Sequence, residues 1–194
     1  MLHSRIGPFV VGILALGLLA CAGEEPATSV KLLDLSGQGV DPFAASDAKA
    51  IVFLFTRTDC PVSNRYAPEV LRLYEEFKDR GVEFRMVYPN PDVTIEAIES
   101  HLEEYGYSIS ALRDPEHLLV DLTEATITPE AAVFVPGWEM VYRGRIDNRY
   151  VDFGKTRARA TQHDLQEALE AALAGKPVPN PRTEAVGCFI ADLR

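Results

Sequence analysis

From Ala50 to Thr56 the chain reads AIVFLFT, an uncharged run of β-branched, aromatic and aliphatic residues with no alternation between apolar and polar positions. A strand with one wet face alternates, whereas an unbroken apolar run belongs to a strand covered on both faces. Such a strand lies inside a sheet that has a layer packed on each side, which restricts the chain to α/β architectures. Four residues further on stand Cys60 and Pro61, where the pattern turns helical.

The remaining patterning agrees with that class. Tyr66, Val70, Leu73, Tyr74 and Phe77 share one face of a helix predicted over Pro61 to Arg80, with Gly81 as its stop. Val82 to Tyr88 reads as a second strand, and Asp92 to Tyr105 as a helix with Asp92 as N-cap and Ile95, Ile98 and Leu102 inward. A short strand near Ile109 to Leu112 precedes a helix opened by Asp114-Pro115 and carrying Leu118, Leu119 and Leu122. Ala131 to Val135 and Met140 to Ile146, joined by Pro136-Gly137, form a hairpin. The last amphipathic helix runs from Thr161 to Ala174, with Gly175 and Pro177 after it.

The length of 194 residues suits one domain with additions, and the 47% hydrophobic and 25% charged content is that of an ordinary globular chain. A net charge of −10 argues against a nucleic-acid partner. The three cysteines include no C-x-x-C pair, which excludes zinc ribbons and disulfide-stapled miniature scaffolds.

The N-terminal segment carries Arg5 and then an uncharged, almost wholly apolar stretch from Ile6 to Ala20, too short for a comfortable membrane span and shaped like an export signal. Leu18-Leu19-Ala20-Cys21 resembles the lipobox of bacterial lipoproteins, in which the cysteine receives a lipid and becomes the mature N-terminus. The expected organisation is a signal peptide over 1–20, a tether over 21–30, a globular domain over 31–175 and a C-terminal strap over 176–194. That resemblance implies a bacterial cell-envelope protein, lipid-anchored through Cys21 and facing the periplasm or the outer surface. With Cys21 consumed, Cys60 and Cys188 remain, in a compartment that permits disulfides.

Cys60 sits at a predicted helix start, where unpaired N–H groups and the helix dipole stabilise a thiolate and make the sulfur reactive. Pro61 suits the first helical turn. Cys60-Pro61-Val62-Ser63 followed by Ala67-Pro68 resembles the active-site helix of the thioredoxin superfamily, and Thr128-Pro129 before the strand Ala131 to Val135 resembles its cis-proline. The likeness spans about Lys31 to Gly175. The extra helix and short strand before Pro129 are similar to the insertion of the redoxin and peroxiredoxin-like, AhpC/TSA-type branch. The resemblance implies a thioredoxin-like fold: a central mixed β-sheet flanked by helices on both faces, with that insertion before the cis-proline. It also implies that Thr128 and Pro129, with Pro61, bind the partner's backbone, and that no cofactor or resident metal is needed.

The departures are informative. Ser63 stands where a dithiol thioredoxin has its second cysteine; it can donate to a thiolate but cannot resolve a mixed disulfide. Asp59 replaces the usual tryptophan, and a carboxylate there opposes the thiolate. Peroxiredoxins place a threonine and a proline where this chain has Arg57 and Phe53, and copper-delivering relatives place a further cysteine where it has Thr56.

Resolution then falls to Cys188 or to an external thiol. The strap opens with Pro177, Pro179 and Pro181, which favour extended backbone, and from Gly175 to Cys188 it can span roughly 40 Å. Val186 and Phe189-Ile190 are candidates to dock it, and Gly187 allows a close approach or a positive φ. A Cys60–Cys188 pair, a docked buried thiol and a free tail all remain open. His163 reads as a first-turn surface residue with Asp164, and His101 and His117 as solvated. Arg143, Arg145 and Arg149 form a basic cluster best used in ion pairs.

The resulting expectation is an exported thiol–disulfide oxidoreductase with Cys60 as nucleophile, Ser63 supporting the thiolate, Cys188 or an external thiol reductant completing the cycle, and protein thiols or disulfides as substrate. The alternatives are a thiol peroxidase using Cys60 and Cys188 on peroxide, a Cu(I) metallochaperone using Cys60, Cys188 and His163, and a redox-inactive interaction domain.

Overall fold

The computed structural model describes Met1 and residues 30–44 and 47–191. The expected signal peptide and Cys21, with most of the tether, lie outside the described residues.

The apolar run forms β3 (Ala50–Phe55), with all six residues buried. It pairs in parallel with β4 (Val82–Tyr88) and antiparallel with β7 (Glu130–Val135). Around this centre lie β1 (Leu32–Leu33), β2 (Gly39–Val40), β5 (Ser110–Arg113) and β8 (Glu139–Gly144), giving a mixed sheet of order β2-β1-β5-β4-β3-β7-β8, beside which β9 (Tyr150–Asp152) and β10 (Lys155–Thr156) form a separate two-stranded ribbon. Alternate residues of β3 enter two cores. Ala50, Val52 and Leu54 pack with α1 (Pro61–Arg65), α2 (Ala67–Phe77), α3 (Ile95–Glu104) and α5 (Asp164–Leu173). Ile51, Phe53 and Phe55 pack with α4 (Leu118–Thr123) and the Phe43 loop. There the Phe43 ring meets Phe53 and Phe134 edge-on, with centroids 5.4 and 5.0 Å away. Each large side chain buried in this way is worth about 1.5–3 kcal/mol, so a charge at any position of β3 would disrupt the core on that face. The arrangement is the thioredoxin-like fold that the motifs implied, and Thr128-Pro129 is a cis peptide.

Several element ends differ from expectation. The single helix over Pro61 to Arg80 is two helices hinged at Tyr66, because Pro68 has no N–H to continue the ladder from Asn64. Thr94, not Asp92, caps α3, its hydroxyl accepting from the Ala97 N–H at 3.2 Å. The Asp92 N–H instead closes a turn onto the Asn90 side chain. Asp114 does not open α4 as a helical residue; its buried carboxylate accepts the N–H groups of Leu118, Leu119 and Val120 at 2.8–2.9 Å. The helix is so short that Leu119 points inward while Leu118 and Leu122 stay exposed. Thr161 does not cap α5, since its hydroxyl accepts from Asn148. Asp164 is buried rather than exposed, held by Arg145 at 2.7 Å. Of the basic cluster, Arg145 and Arg143 (on Glu130) do serve ion pairs.

Both histidines read as solvated are buried. His117 reaches the Pro89 carbonyl at 2.9 Å. His101 lies between the Tyr88 hydroxyl (2.8 Å, to Nδ1) and Asn64 Oδ1 (3.0 Å, from Nε2). The Asn64 amide orientation is set by its other end, which donates to the Thr58 carbonyl at 3.1 Å. Nε2 therefore carries the proton and Nδ1 accepts, a neutral imidazole with both nitrogens satisfied. Burial holds the His101 pKa below its ordinary value of 6.5, with Glu104 opposing. A depressed histidine pKa means that the unfolded chain takes up the proton first, so stability falls as pH drops below about 6.5. Thermal denaturation followed against pH should show this loss, and His101→Gln, though less stable at neutral pH, should show a shallower decline over the same window.

Candidate functional site

Cys60 ends the loop after β3 as the N-cap of α1, with extended backbone (φ −87°, ψ 109°) and Pro61 as the first helical residue. Its sulfur accepts from the Ser63 N–H at 3.4 Å and donates to the Thr128 carbonyl at 3.1 Å, and it has no solvent exposure. The element that closes over it is the C-terminal strap. β11 (Cys188–Phe189) pairs antiparallel with β6 (Ile127–Thr128), the short strand before cis-Pro129, with Cys188 opposite Thr128. The Thr128 hydroxyl donates to the Cys188 carbonyl at 3.3 Å, the Ile190 N–H to the Thr126 carbonyl at 2.9 Å, and the Arg57 guanidinium to the Phe189 carbonyl at 3.1 Å. Cys60 and Cys188 are both free thiols, and Cys188 packs against the core that holds Cys60, close enough for each thiol to shift the other's ionisation. Of the open readings for the tail, the structure shows docking with the two sulfurs together.

Gly187 explains how the strap comes so near. A Cβ at this position would lie 2.0 Å from the Thr128 carbonyl oxygen, a backbone atom unable to yield. The need is close approach, not a positive φ. Val186 packs against the first core and Ile190 against the second, but Phe189 is 77% exposed and contributes no docking surface. Farther up, the strap runs beside β8, where the Arg143 N–H donates to the Pro181 carbonyl at 3.0 Å and the Thr183 N–H to the Arg143 carbonyl at 3.1 Å.

Burial pushes the Cys60 thiol up, but the hydrogen bonds it gains from Cys188, from Ser63 and from Thr128 outweigh burial and leave its pKa below the ordinary thiol value. The Ser63 hydroxyl is buried without a hydrogen-bond partner. A thiolate supplies the acceptor it lacks. Cys188 goes the other way: burial and the neighbouring Cys60 push it up to about 12, with Arg57 opposing.

Two sequence readings need correction here. Asp59 is not a free carboxylate beside the thiol: Arg57 holds it in a fork at 2.8 and 3.0 Å, and its charge is felt at Cys188, which it helps to raise, rather than among the largest influences on Cys60. His163 does not join the cysteines as a ligand set among the described residues. It lies beside Glu69 and Asp147, whose carboxylates are engaged by Arg72 and by the Tyr66 hydroxyl. Arg57 is the site residue that sequence reasoning undervalued; it registered only as a missing threonine, although an arginine two residues from an aspartate beside Cys60 is a legible ion-pair signal. Asn64 and His101, which brace α1 from behind, carried no such signal.

A thiol at the N-cap of a kinked helix, a cis-proline strand facing it and a second thiol seated beside it define a redox-active protein of the thioredoxin-like class. Residues 24–144 match the AhpC/TSA family model, and the chain belongs to the AhpC/TSA family. The thiol-disulfide oxidoreductase ResA of Halalkalibacterium halodurans is 32% identical over 104 residues, 53% of this chain and 56% of that protein, so the match spans little more than half of the relative's length. The crystal structure of an uncharacterized conserved protein from Geobacillus kaustophilus superposes with a TM-score of 0.73 at 26% identity, covering 84% of this chain and 87% of that one. A hypothetical protein from Sinorhizobium meliloti 1021 gives 0.72 at 23% identity, covering 83% and 89%, which supports the fold alone. No helix among the described residues is long and apolar enough to cross a membrane.

Titration of the reduced protein, followed by thiolate ultraviolet absorbance, should show two separated steps, one below the ordinary thiol range and one near 12. Because the groups interact, these steps belong to the pair. Ser63→Ala should move the lower step upward.

Proposed function

We propose that the protein is an exported thiol–disulfide oxidoreductase in which Cys60 is the nucleophile and Cys188 the resolving thiol. The observation that carries this reading is the pairing of β11 with β6, which seats Cys188 opposite Thr128, the residue whose carbonyl meets Cys60 at the N-cap of α1. The Cys60 thiolate attacks one sulfur of a partner disulfide; that S–S bond breaks, the other sulfur leaves as a thiolate and takes a proton, and Cys60 is held in a mixed disulfide. Cys188, deprotonated, then attacks the Cys60 sulfur, releasing the partner as a thiol and leaving a Cys60–Cys188 disulfide. An external dithiol returns this to two thiols and is itself oxidised. Thr128 and Pro129, with Pro61, offer the backbone surface beside the sulfur on which a partner segment lies.

The high pKa of Cys188 fits this order of events. After burial, the next groups that raise it are the hydrogen bond and charge of Cys60, and both vanish once Cys60 is in a mixed disulfide. Cys188 therefore becomes easier to deprotonate after the first step, when a second nucleophile is needed. The peroxide reading gains less from the site, since the Arg57 guanidinium, the cation nearest the sulfurs in sequence, is committed to Asp59 and to the strap.

Cys188→Ser should accumulate Cys60 in mixed disulfides, visible as added mass under non-reducing conditions, whereas the parent chain clears them; equal turnover by the two would show Cys60 working alone. Ser63→Cys in that background should restore a local C-x-x-C and recover turnover. Export and anchoring through Cys21 belong to the same proposal and rest on the lipobox-like pattern. Cys21→Ser should release the domain from the membrane fraction or leave an uncleaved precursor, and normal processing with unchanged membrane retention would refute the anchor.

A further inference from the structure

The strap is seated on a strand edge that has no other partner. β6 consists of Ile127 and Thr128, and among the described residues the only strand paired with it is β11. What holds β11 there is mostly main chain. The Thr128 hydroxyl, the Thr126 carbonyl and Arg57 take the carbonyl of Cys188, the N–H of Ile190 and the carbonyl of Phe189. The Phe189 side chain contributes nothing, being exposed. Two positions are read through their side chains or the lack of one. At Gly187 a Cβ would fall 2.0 Å from the Thr128 oxygen, and at Cys188 the sulfur meets Cys60.

An edge that binds main chain, demands glycine and places the following cysteine on the nucleophile is a recognition site with a sequence preference. We propose that residues 187–190 are a resident occupant of the β6 edge on which the thiol–disulfide reading already lays a partner's backbone, that they are displaced when a partner binds, and that the edge selects an extended segment in which glycine immediately precedes the reacting cysteine. This deepens the thiol–disulfide reading and rests on it for the chemistry, although docking itself requires no sulfur.

The displacement is local. Thr183 remains anchored to β8 and Tyr142 when β11 leaves, because its hydroxyl contacts Tyr142 at 2.7 Å and the Arg145 N–H at 3.1 Å. The released segment is therefore short and stays close, and a partner competes with a tethered strand at high effective concentration. Exposed cysteines of unsuited sequence are kept off Cys60, which has no solvent exposure while the strap is seated.

The test uses the full chain. Gly187→Ala should unseat β11, so Cys188 should react with an alkylating reagent at least about tenfold faster than in the parent chain, the advantage of a tethered strand being lost. Far-ultraviolet circular dichroism should be unchanged. A labelled peptide with the sequence of residues 184–191, its cysteine replaced by serine, should bind this variant, measured by fluorescence anisotropy, and bind the parent chain at least about tenfold more weakly. The same peptide with alanine for glycine should bind neither. Arg57→Ala, which removes the clamp on the Phe189 carbonyl without placing any atom in the interface, should give an intermediate alkylation rate and provides the comparison if Gly187→Ala does not fold. Protection of Cys188 unchanged in both variants, no peptide binding to a chain whose Cys188 has become reactive, or equal binding of the glycine and alanine peptides would each overturn the proposal. Because the peptide has no thiol, its binding can succeed while disulfide turnover fails, and the two readings are judged separately.

Discussion

The close packing of the Thr128 carbonyl against both Cys60 and Gly187 is the constraint on which the site depends. One backbone oxygen accepts from the Cys60 thiol at 3.1 Å and sets the nearest approach of the strap. It occupies that place because Thr128 ends the short strand before β7, and β7 is locked in antiparallel register against β3 from Ile51 to Phe55. The same β3 launches Cys60 at its far end. Cys60 and the β6 edge are thus two products of one buried strand pair, and their separation is as rigid as the sheet.

Around that rigid pair the polar groups are arranged so that burial does not silence the sulfur. A buried thiol left alone would hold its proton more tightly. Here donors converge from α1, from β6 and from the strap, and they outweigh burial. The second thiol suffers the opposite fate for the same electrostatic reason: its neighbour's charge opposes its own, and the pair divides into one acidic and one basic thiol. The asymmetry follows from position, since Cys60 has the helix N–H groups and Cys188 has none.

Charge near the site serves structure before chemistry. Arg57 neutralises Asp59 and ties down the strap in one planar fork, a task suited to guanidinium geometry and not to a lysine. Behind α1, the chain from Tyr88 through His101 to Asn64 and the Thr58 carbonyl braces the loop that carries Cys60. These four residues come from β4, α3, α1 and the loop before it, so the brace reports on the packing of that whole half of the domain. A fully satisfied buried network of this kind is costly to break at any single member.

Much of the architecture was legible in the chain. The apolar run of β3, the Gly81 stop, the Pro136-Gly137 hairpin turn and the Cys60-Pro61 helix start are local signals, each carried by a few adjacent residues with a conformational or solvation preference strong enough to survive any context. They determined the α/β class and put Cys60 at a helix start, while the thioredoxin-like topology and the cis-proline at Pro129 were implied by the resemblance. What depended on partners distant in sequence was not legible. The burial of His101 and His117, the capping of α4 by Asp114 and the neutralising of Asp59 all turn on which groups the sheet brings together, and a polar residue shows no periodicity that announces a partner. The same holds for the strap. Sequence alone allowed Gly187 to approach closely and Cys188 to reach Cys60, because chain length permitted it. Only the tertiary structure decided that both happen, since the edge of β6 exists as a binding surface only after β7 has paired with β3.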